Sequence, residues 1–192
     1  LAKNFWLEFE YTPANGYENN VFHIELNSGN ETLYRFSISN NGRFKETINN
    51  FESEWKLVPN WTSYKLKNDF TIKVKLIKSD NAMTVIVNEQ PMVYQKEMFQ
   101  DDNLQIVLNI EGNRPEHVVT LYSIRFWNLD ELATEESAFY HPIMTHISGT
   151  APTFEDDFST PKEEWGNIQV EGDEVPLVDF LVEGKIVFDN VG

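Results

Sequence analysis

The sequence predicts an all-β fold of two antiparallel sheets packed face to face, and two observations carry this prediction. Apolar and polar residues alternate with a period of two along most of the chain, which places the apolar side chains of each run on one face. Turn sequences separate these runs at intervals of about 8–12 residues, as in β-sandwiches and barrels. The residues expected in the core include Phe70, Ile72, Val74, Leu76, Val85 and Val87.

The first predicted strand, Phe5–Tyr11, alternates aromatic or aliphatic residues with Trp6, Glu8 and Glu10. Turns such as Asn40-Asn41-Gly42 end the strands because Asn and Gly tolerate the backbone angles that tight turns require. The further predicted strands are 20–27, 32–39, 43–49, 54–58, 70–76, 82–88, 91–95, 104–110 and 117–128.

The chain of 192 residues is long enough for one well-buried core with an appendage. We expect a β-sandwich body over 1–138, in which 129–138 has helical character, and a linker over 139–153 that contains two prolines and one glycine. The segment 154–192 follows as an acidic β segment, with predicted strands at 175–182 and 185–189.

Charge and composition narrow the classes of partner. The net charge is −16, and residues 134–192 carry 13 acids against 2 bases. We expect no nucleic-acid partner because acidic surfaces repel phosphates. No run approaches the ~18 apolar residues of a membrane span, so no membrane insertion is expected. The absence of cysteine excludes disulfides and thiolate sites. A neutral glycan, a cation or another protein fits this composition better.

Three phrases in the body, Tyr34–Phe44, Thr84–Pro91 and Ile124–Leu129, resemble the middle and end of concanavalin-like jelly rolls. The resemblance covers about 5–132 and is to the laminin-G-like modules and the related domains of the keto-disaccharide hydrolase type in secreted bacterial proteins. It implies a jelly-roll β-sandwich at the cell surface or outside the cell.

Modules of this kind usually open on an Asp-Asp-Phe-Ser phrase followed by a tryptophan, which here stands near the end, at 156–159 and Trp165. The chain is therefore either cut from a tandem array or circularly permuted. In both cases we expect 154–192 to supply the opening strands that the module over 5–132 lacks, either on its own chain or on a neighbouring copy. Docking on a neighbour would join the chains head to tail into a filament.

Catalytic patterns are weak. Glu8 and Glu10 lie on one strand face, about 7 Å apart, a spacing compatible with glycoside hydrolysis, but the third acid of laminarinase-like strands is missing. His23 lacks a partner at metal-site spacing and is interpreted as structural. We therefore assign no catalytic residue, and a jelly-roll glycoside hydrolase or lyase, or a fragment of one, remains the alternative function.

Two kinds of binding site are predicted. Asp156 and Asp157 offer hard oxygen ligands where the resemblance implies a structural Ca²⁺, although a solvated acidic turn explains them as well. Trp55, Trp61 and Tyr64, with Asn60, form the best cluster of aromatic and hydrogen-bonding residues for a polysaccharide, the alternative being that Trp55 belongs to the core. The N-glycosylation sequons begin at Asn30 and Asn60. The function predicted is a non-catalytic extracellular module for assembly, glycan binding or both.

Overall fold

The computed structural model describes residues 3–12, 21–59, 71–79, 82–95, 104–111, 119–132, 151–162, 167–170, 173–176, 179, 181–182 and 185–188. These residues form an all-β sandwich, which confirms the predicted fold class. No helix in these ranges is long and apolar enough to cross a membrane.

The strands in chain order are β1 (Phe5–Thr12), β2 (Val21–Ser28), β3 (Glu31–Ser39), β4 (Arg43–Ile48), β5 (Phe51–Glu52), β6 (Lys56–Leu57), β7 (Ile72–Ser79), β8 (Ala82–Val87), β9 (Gln90–Gln95), β10 (Leu104–Glu111), β11 (Val119–Asn128), β12 (Phe154–Asp156), β13 (Asn167–Val170), β14 (Asp173–Pro176), β15 (Leu181–Val182) and β16 (Lys185–Phe188). One helical turn, α1 (Leu129–Leu132), follows β11. It begins where helical character is predicted, and 133–138 lie outside the described residues.

Two antiparallel sheets enclose the core. The eight-stranded sheet has the order β15-β16-β11-β1-β7-β8-β9, with β12 also paired to β11, and the six-stranded sheet has the order β10-β2-β3-β4-β5, with β6 also paired to β4. Strands β13 and β14 form a separate ribbon. The predicted strand 54–58 is thus shorter than expected, because β4 pairs with two separate two-residue strands on this side.

The period-two pattern places alternate side chains of each strand between the sheets. Five predicted core residues, at 72, 74, 76, 85 and 87, are fully buried, whereas Phe70 lies outside the described residues. Aromatic contacts join the two layers: the ring of Phe22 from β2 lies 5.5 Å from that of Phe9 and 4.5 Å from that of Tyr11. A smaller apolar cluster, which includes Trp6 and Trp127, lies on the other face of the eight-stranded sheet.

The C-terminal segment contributes strands to the eight-stranded sheet. β12 pairs with residues 124–126 of β11, and β16 pairs with residues 119–121 of the same strand. Phe158, just after β12, is 3% exposed and belongs to the main core cluster. Its backbone N–H donates to Asp156 Oδ1 over 2.8 Å, which fixes the turn that directs this ring inward. Trp165 lies outside the described residues.

Candidate functional site

Trp55 is the member of the predicted aromatic cluster that the structure describes, since Asn60, Trp61 and Tyr64 lie outside the described residues. It stands between β5 and β6 and is 39% exposed, so it is not a core residue. The ammonium group of Lys45 lies 5.2 Å from the centroid of the Trp55 ring, within the range of a cation–π contact. This contact places the indole beside the outer face of the six-stranded sheet.

We call this outer face the polar face. It carries the side chains that alternate with core residues on β2, β3 and β4. Strand register brings His23, Ser37 and Lys45 into one cross-strand row, and Glu25, Arg35 and Thr47 into the next. Both rows are polar across the three central strands of the sheet, and the first row ends at Lys45, beside Trp55.

His23 is held by hydrogen bonds on both ring nitrogens. Nε2 lies 3.0 Å from Glu111 Oε2, and Nδ1 lies 2.8 Å from Ser37 Oγ. Because a carboxylate only accepts, Nε2 donates to Glu111, and Nδ1 accepts the Ser37 hydroxyl proton. Burial lowers the pKa of His23, and the Glu111 carboxylate offsets only part of this effect. The neutral ring is therefore the form that the network favours.

The order serine, histidine and carboxylate also occurs in hydrolase triads, but accessibility here is reversed. Ser37 is fully buried and the side chain of Glu111 is 72% exposed, so a substrate cannot reach the hydroxyl group that would have to attack it. The three side chains instead fix one another across β2, β3 and β10. Their hydrogen bonds make this part of the sheet rigid.

Arg35 and Glu25 form an ion pair in the second row, with 2.8 Å between Arg35 Nε and Glu25 Oε1. Both atoms are buried, and neither has a hydrogen-bond partner within the described residues. The contact is therefore an ion pair whose geometry does not meet that of a hydrogen bond. Thr47 Oγ1, opposite Arg35, and Asn27 Oδ1 are in the same condition. Arg35 and Glu25 therefore rely on their ion pair, while Thr47 Oγ1 and Asn27 Oδ1 are further buried polar atoms of this face.

Lys45 connects the polar face to the indole. Its Nζ donates to Glu52 Oε2 over 2.8 Å, and this hydrogen bond lowers the pKa of Glu52. The lysine side chain is thereby held between a carboxylate and an aromatic ring. Trp55 thus has a fixed charged neighbour and an accessible surface.

Glu8 and Glu10, the two acids at a spacing compatible with glycoside hydrolysis, lie on the outer face of the eight-stranded sheet. Glu8 Oε1 lies 3.3 Å from Arg125 Nη1 and 3.8 Å from Lys73 Nζ, and Glu10 Oε2 lies 4.0 Å from the same ammonium. Arg125 also binds Glu155 of β12. These contacts describe a network of ion pairs across strands, which is the structural alternative to a catalytic pair.

The predicted calcium ligands have other partners. Asp156 is 1% exposed, and its Oδ2 lies 3.2 Å from Lys162 Nζ. Asp157 is exposed, and the backbone N–H of Ser159 donates to its carboxylate and lowers its pKa. No group of three or more potential metal ligands occurs among the described residues. Calcium therefore stays a prediction from sequence, and these two carboxylates alone do not make up a coordination shell.

The two N-glycosylation sequons begin at Asn30 and Asn60. Asn30 is exposed in the turn between β2 and β3, and the side chain of Asn60 lies outside the described residues. An exposed turn is a suitable position for an attached glycan. Use of either sequon stays a prediction.

No protein-family model matches the chain, and no curated protein matches it. Among solved structures, sheep galectin-11 in complex with glycerol has a TM-score of 0.47 and 10% identity, over 66% of this chain and 91% of that chain. Chicken galectin 2 has a TM-score of 0.43 and 14% identity, over 64% and 88%. The carbohydrate-binding module CBM66 from Bacillus subtilis has a TM-score of 0.38 and 9% identity, over 57% and 66%.

Proposed function

We propose that this chain is a secreted or cell-surface module that binds a glycan on its polar face. The observation that carries the proposal is the position of Trp55, which presents an accessible indole beside rows of fixed polar side chains. Sugar rings pack their C–H faces on aromatic rings while their hydroxyl groups require hydrogen-bond partners nearby. Trp55 offers the ring, and the partly accessible Arg35 with the exposed Glu52 and Glu111 offer the hydrogen-bonding groups. His23, Ser37 and Glu25 are buried beneath them and hold them in place.

A neutral glycan fits this face better than a charged one. Arg35 is paired with Glu25 and Lys45 with Glu52, so each of these cations is balanced by an acid. A sugar hydroxyl both donates and accepts, and can therefore serve either member of such a pair. The whole chain carries −16, which adds a repulsion against anionic polymers that salt would screen.

The test compares Trp55→Ala with Phe51→Ala by affinity electrophoresis in gels that contain soluble neutral polysaccharides. Phe51 is 83% exposed on neighbouring β5 and serves as the matched control for loss of an exposed aromatic ring. Loss of a central aromatic contact at a binding site weakens affinity by about 2 kcal/mol, or at least tenfold. Equal retention of both variants on every retained polysaccharide would contradict the proposal.

Assembly is the second candidate function, favoured by the way in which β12, β16 and Phe158 meet the sandwich. Strands β12 and β16 use the edge of β11, and Phe158 enters the core cluster. We propose that the same contacts can form with a neighbouring copy, since strand addition is independent of which chain supplies the strand. The jelly-roll hydrolase or lyase remains the alternative without a supporting site in the described residues.

Light scattering after size exclusion tests this second candidate. Exchange between copies predicts oligomers whose size grows with concentration and that disappear when 151–192 are removed. A full chain that stays monomeric at every concentration would place these strands on their own chain and rule out the filament.

A further inference from the structure

The edges of the two sheets differ in how they are protected against pairing with other chains. β15 and β5, at two of the ends, have two residues each. β9, at a third end, contains Pro91 and meets β8 with a register shift. Short strands, prolines and irregular register are common devices that prevent edge-to-edge association.

β10 is the fourth edge and has none of these devices. It runs for eight residues, Leu104–Glu111, and pairs with β2 without a register shift. Its sequence contains neither proline nor lysine, and its one charged residue is the terminal Glu111. Among the described residues, 105–111 form no backbone hydrogen bonds beyond those with β2. A long, regular and nearly uncharged edge is a template for another strand.

From this edge we infer that two copies of the chain associate through antiparallel pairing of β10 with β10. A two-fold axis at Val107 would place Val107 opposite its own copy, Ile106 opposite Leu108, and Gln105 opposite Asn109. Every pair in this register joins like polarity: aliphatic with aliphatic and amide with amide. Glu111 lies beyond these pairs, and the pairs themselves contain no acid.

Apolar residues of β10 are partly exposed, as expected of an edge that a second strand covers. Ile106 and Leu108 pack against the main core cluster but are only partly buried, and Val107 is also partly exposed. A second β10 would remove apolar surface of these three residues from water. A second copy suits the site because the register is self-complementary. None of the paired residues is charged, so they add nothing to the repulsion between two chains of net charge −16.

Pairing in this register would join two six-stranded sheets into one continuous sheet. The axis is perpendicular to the sheet, so both polar faces point to the same side. Where the proposed glycan binding holds, the dimer would be bivalent toward a polymeric glycan, with a gain in avidity that needs no new contact. The dimer itself does not depend on that function.

Sedimentation equilibrium of the full chain tests the inference with Val107→Lys and Val107→Glu. Each variant places a like-charge pair on the axis, and we expect the dimer dissociation constant to rise about tenfold or more. An equimolar mixture of the two variants should recover dimers, because lysine then faces glutamate. Gln105→Lys is the matched control: it adds the same charge to the same strand opposite Asn109, and the mixture with Val107→Glu should not recover dimers to the same extent.

Thermal unfolding followed by circular dichroism checks that each variant is folded before association is compared. A wild-type chain that is monomeric up to its solubility limit would overturn the inference. So would dimers unaffected by Val107→Lys, or a lysine–glutamate mixture that associates no better than either variant alone. Dimers that require 151–192 and tolerate both Val107 variants would belong to strand exchange instead.

Discussion

Replacement of Phe158 by alanine measures how firmly the C-terminal segment belongs to the sandwich. The ring is 3% exposed and packs within the main core cluster, so its removal leaves a cavity between the sheets. Truncation of a buried phenylalanine usually costs about 3–5 kcal/mol. For a domain of this size, each kcal/mol lowers the melting temperature by about 2–4 °C, so we expect a decrease of roughly 6–20 °C.

Phe51→Ala is the control for this substitution, since its ring is 83% exposed and its loss should change stability by no more than about 0.5 kcal/mol. Phe158→Leu retains an apolar side chain and should fall between the two. The backbone at Phe158 is left-handed, with φ of 56°. Alanine and leucine carry a Cβ as phenylalanine does, so neither substitution relieves this conformation as glycine would. Calorimetry and urea unfolding measure the difference. A Phe158→Ala protein that melts within about 2 °C of the wild type would refute the argument that this segment completes the core.

Three further predictions concern buried polar groups. The lowered pKa of His23 means that the unfolded chain binds a proton first as pH falls below about 6.5, so stability should decrease there, and His23→Gln should flatten that part of the stability curve. Tyr34→Phe removes a 3.0 Å hydrogen bond to buried Glu46 and should cost about 1–3 kcal/mol in urea unfolding. If calcium binds at Asp156, a chelator should lower the melting temperature of the wild type and leave that of Asp156→Asn unchanged. A wild-type melting curve that is the same with and without chelator would rule out that site.

Much of the fold could be predicted because alternation is a local property. The strand Ile72–Ser79 shows it clearly: its core residues are recognisable from their spacing alone, and the structure buries them as expected. The shortening of 54–58 to β6 and the separate strand β5 could not be predicted in this way, since two-residue strands leave no periodic pattern. Their position depends on pairing with β4, which is a tertiary contact.

The candidate site was harder to predict because it is assembled across strands. Residue type alone predicts Trp55, whereas the sequence predicts only a structural role for His23 and contains Arg35 within a phrase that resembles a family. Both are polar residues alternating with core positions, which is the signal that sequence offers. The contacts of His23 with Ser37 and Glu111, and of Arg35 with Glu25, depend on the strand order β10-β2-β3, and strand order is not encoded in local periodicity.

The most direct test of the proposed glycan site is chemical-shift mapping by nuclear magnetic resonance with oligosaccharides from a polysaccharide that retains the protein. The account predicts that the indole N–H of Trp55 and the amides of Arg35 and Lys45 shift most, and that Trp55→Ala abolishes these shifts while Phe51→Ala preserves them. Shifts that cluster instead around Glu8 and Arg125, on the outer face of the eight-stranded sheet, would contradict it, as would the absence of any shift at Trp55.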